Sequence, residues 1–151
     1  MRLEIYDVNK LNFVELNVVG DNDNYLPLDE NSKFIDAEVF NLFTDAFENA
    51  NKLYEYFGPT KYNSRKIVPL RNALISTVES FKKIQSKTDF IEHIGNIFLG
   101  KEFILGLERQ DKSWEDNWES YQIKLIEINQ GLINIVEDCI ENEKILWVIG
   151  Y

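Results

Sequence analysis

The stretch that decides the fold is residues 113–142, SWEDNWESYQIKLIEINQGLINIVEDCIEN, near the C-terminal end of the chain. Within it, apolar residues follow one another at steps of four and three: Trp114, Trp118, Tyr121, Leu125, Ile128, Leu132, Ile135 and Cys139. This spacing is typical of the buried side of an amphipathic α-helix. Ser113 is a favourable N-cap, and Asp116 follows it three positions later. The stretch therefore predicts a helix over 113–142, about 45 Å long.

The surface of this predicted helix is strongly acidic. Residues 111–143 contain nine Asp or Glu residues, and only Lys112 and Lys124 are basic. The first turns also carry large aromatic side chains, which are common anchors of protein interfaces. The residues of this face that we predict to bind a partner are Trp114, Glu115, Asp116, Trp118 and Glu119. The competing interpretation is that the aromatic residues cover the end of the core, which leaves only the carboxylates exposed.

The two ends of the chain are predicted to form a small antiparallel sheet. Residues 3–5 and 11–19 are rich in alternating apolar and β-branched residues, and they predict two strands joined around Asn9-Lys10. Residues 144–149, KILWVI, are too short and too β-branched for a helix and predict a last strand. The simplest partner for this last strand is the N-terminal pair.

A second candidate surface follows the N-terminal strands. Glu15 and Asn17 on the second strand predict that one of its faces is open to water. Residues 21–30 then form an acidic loop that is rich in turn-forming residues. Asp21 and Asp23 in this loop are further candidates for binding a partner.

The middle of the chain is predicted to be helical. One helix runs from about Asp36 to Phe57, and Gly58-Pro59 is expected to end it. Residues 60–66 are predicted to form a loop. Three further helices are predicted: one that starts at Pro69, one over 90–99 that is capped by Ser86 or Thr88, and one over 101–110.

Length and composition indicate one folded domain over residues 1–151. The chain has 151 residues, of which 44% are hydrophobic, including ten Phe and three Trp. This is enough for a sizeable core. Together with the helix and strand patterns, it predicts a mainly α (α+β) protein. The expected architecture is an antiparallel helical bundle around the long C-terminal helix, with a small antiparallel sheet from the N- and C-terminal strands.

The charge of the chain limits its partners. The net charge is −10 and the pI is near 4.6, which disfavours nucleic acids and anionic membranes and favours basic proteins. The plainer explanation is that an acidic surface keeps the protein soluble. Residues 61–87 are an exception, with seven Lys or Arg against Glu79 alone. Two interpretations are open: pairing with the acidic helix inside the fold, which we expect, and a separate patch that binds an anion. The sequence contains neither a secretory pattern nor a membrane-spanning run, so the expected location is the cytoplasm.

No catalytic motif stands out in the sequence. His93 is the only histidine, and Cys139, the only cysteine, falls on the buried side of the predicted long helix. There is no Gly-x-Ser-x-Gly motif to position a serine nucleophile. Two acidic pairs lie one helical turn apart and are expected to be solvated: Glu115 with Glu119, and Glu137 with Glu141. The sequence thus predicts a protein that is not an enzyme and that takes no cofactor or metal.

In size, pI, single cysteine and lack of a catalytic motif, the chain resembles the small acidic immunity proteins of bacterial toxin systems, including contact-dependent inhibition. The resemblance implies that the partner is a basic toxin domain, such as a nuclease, and that inhibition occurs by electrostatic occlusion. It involves no defined motif and therefore transfers no residues. Two alternatives stay open: a structural or regulatory subunit that self-associates through residues 114–121, and a metal-dependent enzyme that uses carboxylates.

Overall fold

The computed structural model describes residues 1–8 and 12–151 and has an α+β fold. Its strands are β1 (Phe13–Asn17), β2 (Lys33–Asp36), β3 (Gly58–Tyr62) and β4 (Leu146–Gly150). Its helices are α1 (Ala37–Phe40), α2 (Thr44–Ala50), α3 (Ile67–Lys82), α4 (Lys87–Gly95), α5 (Gly100–Gln110) and α6 (Trp118–Glu141), with a 3-10 turn, Asn41–Phe43, between α1 and α2. The α+β class predicted from the sequence is confirmed.

The strands form one antiparallel sheet in the order β2-β1-β4-β3. β1 and β4, which come from opposite ends of the chain, lie side by side at its centre, with Leu16 opposite Val148. The predicted sheet of terminal strands is therefore confirmed. The sheet is larger than predicted, because β2 and β3 come from segments that the sequence pattern did not assign to strands and extend its two edges.

The strand predicted at residues 3–5 is not formed. Instead, Tyr6 makes a single bridge with Phe34 of β2, and its N–H donates to the Phe34 carbonyl at 2.9 Å. The Tyr6 hydroxyl also donates to the Asp36 carboxylate at 2.6 Å. These contacts hold the N-terminal segment against the edge of the sheet without a second ladder of backbone bonds. The turn predicted at Asn9-Lys10 lies outside the described residues.

The long helix α6 packs along α3. The side-chain amide of Gln122 donates to the Phe81 carbonyl at 2.8 Å, and that of Asn129 donates to the Leu74 carbonyl at 2.9 Å. The residue contacted on α3 changes from Phe81 to Leu74 as the residue on α6 changes from Gln122 to Asn129, so the two helices are antiparallel. The prediction of a long C-terminal helix is confirmed, whereas the arrangement of all helices as one antiparallel bundle stays a prediction.

The first turns of the long helix were predicted wrongly. The helix begins at Trp118 rather than at Ser113, because residues 112–117 form consecutive turns. The Asp111 carboxylate holds these turns, since it accepts hydrogen bonds from the Ser113 N–H at 2.9 Å and from the Tyr121 hydroxyl at 2.8 Å. Bonds from side chains to nearby backbone compete with the helical pattern. The Tyr121 bond, followed by the Ser113 bond, lowers the pKa of Asp111.

The helix predicted over 36–57 also ends early, at Ala50. Asn51 leaves the helix with an extended backbone, and its side-chain amide donates to the Lys61 carbonyl at 3.1 Å. Gly58 therefore begins β3 instead of ending a helix. Its φ of +129° is a conformation that residues with a Cβ atom rarely adopt.

Other local predictions are confirmed. The Ser86 hydroxyl caps α4 by accepting a hydrogen bond from the Asp89 N–H at 3.1 Å. Cys139 is 1% exposed and lies on the buried side of α6. Within residues 1–8 and 12–151, no helix is both long enough and apolar enough to cross a membrane.

Candidate interaction surface

The face of the sheet that points away from the helices is covered. Glu15 and Asn17 lie on this face together with Trp147, because Asn17 is opposite Trp147 in the β1–β4 register and alternate residues share a face. The three residues are 0%, 0% and 9% exposed, respectively. The prediction that this face is open to water was therefore wrong. Its cover is the segment 18–32, which we call the acidic loop.

The first half of the acidic loop is fastened to the sheet by aromatic and amide side chains. The indole N–H of Trp147 donates to the Asp21 carbonyl at 2.9 Å, and the Tyr25 ring packs on the Trp147 ring at 4.9 Å between centroids. The side-chain amide of Asn17 donates to the Leu26 carbonyl at 2.7 Å. The loop has no regular secondary structure, but these contacts define its path over the strands.

Glu15 fastens the second half of the acidic loop. Its Oε1 atom accepts hydrogen bonds from the Leu28 N–H at 2.9 Å and from the Ser32 hydroxyl at 2.7 Å. Its Oε2 atom accepts one from the Tyr151 hydroxyl at 2.6 Å. Burial and the bond to Glu15 raise the pKa of Tyr151, so its hydroxyl keeps its proton and donates. Leu28 has a φ of +56°, in the left-handed region that leucine seldom occupies.

The tip of the acidic loop is shaped by Asp21. Its Oδ1 atom accepts hydrogen bonds from the backbone N–H groups of Asp23 and Asn24, both at 2.8 Å. These two bonds lower the pKa of Asp21. Both Asp21 and Asp23 are exposed. The Asp21 carboxylate also holds the shape of the loop through its hydrogen bonds to the backbone.

The acidic loop presents negative charge beside apolar side chains. Asp23 and Glu30 are exposed, and the leucine side chains at Leu26 and Leu28 are 64% and 47% exposed. The sequence of the loop contains four Asp or Glu and no Lys or Arg. Irregular segments of this length inside a compact fold are usually functional. We therefore regard the acidic loop as the principal candidate interaction surface.

The aromatic residues of the other predicted surface are largely buried. Trp114 is 3% exposed and lies beside Phe90, with ring centroids 6.3 Å apart. Trp118 is half-buried against the same ring at 6.1 Å, and Tyr121 is 7% exposed. The burial of Trp114 argues against the predicted role of an interface anchor, because the turns over 112–117 direct its ring inward to cover the end of the core. The alternative of self-association through residues 114–121 is weakened as well, because the buried Trp114 and Tyr121 side chains offer little apolar surface to a second copy.

The carboxylates beside these rings lie on the surface. Glu115 forms an exposed ion pair with Lys87 at 3.1 Å. Asp116 and Glu119 are exposed, and no cation in the part of the chain that the structure describes is within ion-pair distance of either. Asp116 and Glu119 therefore form a smaller acidic patch, and the nearby Trp114 indole is buried and does not contribute to it.

Three lysines of the basic segment 61–87 make polar contacts in the part of the chain that the structure describes. Lys87 contacts Glu115, as above, and the Lys61 ammonium donates to the Asn22 carbonyl of the acidic loop at 2.5 Å. Lys82 pairs with Glu79 of its own helix at 3.5 Å. Of these three contacts, only the Lys87–Glu115 pair is of the predicted kind, because Lys61 bonds a backbone carbonyl and Lys82 bonds a residue of the basic segment itself.

His93 and Cys139, the single histidine and the single cysteine of the sequence, are partly and almost fully buried, respectively. His93 lies edge-on to Phe81, with ring centroids 5.1 Å apart, and burial lowers its pKa. Burial also raises the pKa of Cys139 to about 11, so its thiol is protonated near neutral pH. Among the described residues, no group of three or more His, Cys, Asp or Glu is placed to hold a metal ion.

Sequence reasoning missed Glu15, the residue that organises the acidic loop. In the sequence it stands between Val14 and Leu16, which is the pattern of a strand with one solvated face. Its hydrogen-bond partners Leu28, Ser32 and Tyr151 are distant in the chain, so no local signal could have identified it.

Comparison with protein families, with curated proteins and with solved structures finds no match to this chain. The surface itself is therefore the basis for a proposed function.

Proposed function

We propose that the chain is a protein-binding inhibitor that docks a basic protein through the acidic loop. The observation that carries this proposal is the composition and anchoring of the loop: Leu26 and Leu28 stand exposed beside Asp23 and Glu30, on a segment held by the sheet. Apolar side chains supply contact area at protein interfaces, and the surrounding charges select the partner. A surface of this kind suits a protein partner with a cationic rim.

The net charge supports rapid association with such a partner. A protein of charge −10 attracts a cationic domain over long range, which raises the association rate and makes it sensitive to salt. Asp116 and Glu119 contribute to this field, and Glu115 contributes less because Lys87 neutralises it. In this proposal the acidic loop makes the contact and the 115–119 carboxylates assist in steering.

An immunity protein of a bacterial toxin system, acting in the cytoplasm, fits these properties best. A nuclease toxin domain is basic because it holds phosphate groups. An acidic protein seated on its groove blocks access of the nucleic acid, and this occlusion requires no catalytic group in the inhibitor.

The test uses the cationic C-terminal domain of the protein encoded immediately upstream of this chain. The domain is expressed in bacteria with and without the chain, and growth is measured. We expect the domain to arrest growth and the chain to restore it. An upstream gene that encodes no cationic domain, or a domain that remains toxic in the presence of the chain, refutes the immunity proposal.

Charge reversal then locates the contact. Asp23→Lys/Glu30→Lys changes the acidic loop without touching the Asp21 scaffold, whereas Glu102→Lys/Glu108→Lys makes the same change of net charge on exposed positions of α5. We expect the loop variant to associate about tenfold more slowly at low salt and the α5 variant to change far less. Equal rates for the two variants would exclude the acidic loop as the docking surface.

A further inference from the structure

Glu15 combines complete burial with a full set of hydrogen bonds. It is 0% exposed, and its carboxylate accepts hydrogen bonds from the Asn17 amide at 3.0 Å, the Leu28 N–H, the Ser32 hydroxyl and the Tyr151 hydroxyl. Burying a carboxylate is unfavourable unless such bonds compensate for lost hydration. An apolar side chain would cover the same strand position at lower cost, so the carboxylate has a directional role: it fixes the groups that donate to it.

Among the residues that donate to Glu15, Leu28 has the most unusual backbone conformation. Its backbone is left-handed, with a φ of +56°, although leucine has a Cβ atom that disfavours this region. The side chain is nevertheless 47% exposed, so burial of the leucine does not explain the conformation. Backbone strain that the surroundings enforce is concentrated at functional sites. The backbone N–H of this strained residue donates to the buried carboxylate of Glu15 at 2.9 Å.

We propose that Glu15 is a positioning residue that holds Leu28 in its left-handed conformation, so that the Leu28 side chain is presented to the basic partner as an apolar anchor. This inference rests on the proposed function. A loop fixed before binding loses less conformational freedom on association than a mobile one. The buried carboxylate therefore contributes to affinity without contacting the partner.

The first experiment measures positioning without any partner. Ser32→Ala removes one donor to Glu15, and Thr60→Val is its matched control, because Thr60 is a buried hydroxyl that accepts a hydrogen bond from the Glu55 N–H in a different segment. Amide hydrogen exchange of the free protein is followed by mass spectrometry in peptides that cover the acidic loop. We expect about fivefold faster exchange around Leu28 in Ser32→Ala and no change there in Thr60→Val.

The second experiment measures presentation to the partner. Leu28→Gly removes both the strain and the side chain, and Leu99→Gly relieves the same kind of strain at a φ of +60° before α5. The probe is the cationic domain encoded upstream, and its dissociation is followed by surface plasmon resonance. We expect Leu28→Gly to retain the thermal stability of the wild type and to dissociate about tenfold faster, while Leu99→Gly dissociates at the wild-type rate.

The possible failures are distinguishable. Unchanged loop exchange in Ser32→Ala overturns the positioning role of Glu15, whether or not the domain binds. Wild-type dissociation of Leu28→Gly overturns the anchor role of Leu28. A wild-type chain that does not bind the domain at all refutes the proposed function, and the exchange measurement still decides whether Glu15 holds the loop.

Discussion

Replacing Trp114 by alanine tests whether this indole belongs to the core or to an interface. The ring is 3% exposed and lies beside Phe90 and the half-buried Trp118. Truncating a buried tryptophan to alanine costs about 3–5 kcal/mol of unfolding free energy. In a chain of 151 residues, each kcal/mol lowers Tm by about 2–4 °C. We therefore expect Tm to fall by roughly 6–20 °C in Trp114→Ala.

Urea denaturation followed by far-UV circular dichroism measures the unfolding free energy directly. The control is Ile123→Ala on α6, where the side chain is 56% exposed and the expected loss is about 0.5 kcal/mol. A loss of less than about 1 kcal/mol in Trp114→Ala would refute the buried assignment. Such a result, combined with weaker binding to a cationic partner, would restore the interpretation of Trp114 as an anchor.

Four further predictions concern single groups of the fold. Lys87→Ala should lower the unfolding free energy by less than about 1 kcal/mol in urea, because its pair with Glu115 is exposed, and a larger loss would contradict this. Gly58→Ala should cost about 1–3 kcal/mol in the same assay, since its φ of +129° strains any residue with a Cβ atom, and wild-type stability would exclude the strain. The Cys139 thiol should react with a thiol reagent only when urea unfolds the chain, because it is 1% exposed, and rapid labelling of the native protein would disprove its burial. Burial lowers the pKa of His93 below its ordinary value of 6.5, so the unfolded state binds the proton more readily. The unfolding free energy should therefore fall as the pH drops through about 6.5, and it should level off below the folded pKa. His93→Gln should reduce this dependence, and an unchanged pH profile would show that another group causes it.

Much of the helical part of the fold could be predicted from the sequence, because helix signals are local. Apolar residues spaced by three and four positions predicted α6. Ser86, with Asp89 three positions later, predicted the start of α4. The predicted boundaries failed where a side chain accepts a hydrogen bond from nearby backbone, as Asp111 does from the Ser113 N–H and Asn51 from the Leu53 N–H. A periodic pattern records which residues are apolar, but it does not record such competing bonds.

The candidate site could be predicted only in part. The acidic loop was recognised by its composition, and Asp21 and Asp23 are exposed in it. Glu15, which holds the loop, looked like a solvated strand residue, and Trp114 looked as suitable for an interface as for the core.

The sequence by itself determined the acidic character of this protein, the presence of a long amphipathic helix near its C-terminal end and the strand that follows it. These features depend on composition and on patterns within a few residues. The tertiary structure alone decided which polar and aromatic side chains are buried. Glu15 is buried because distant segments lie over it, and its partner Tyr151 is 136 positions away in the chain. Burial depends on what the fold places above a side chain, and neighbours along the sequence carry no record of that.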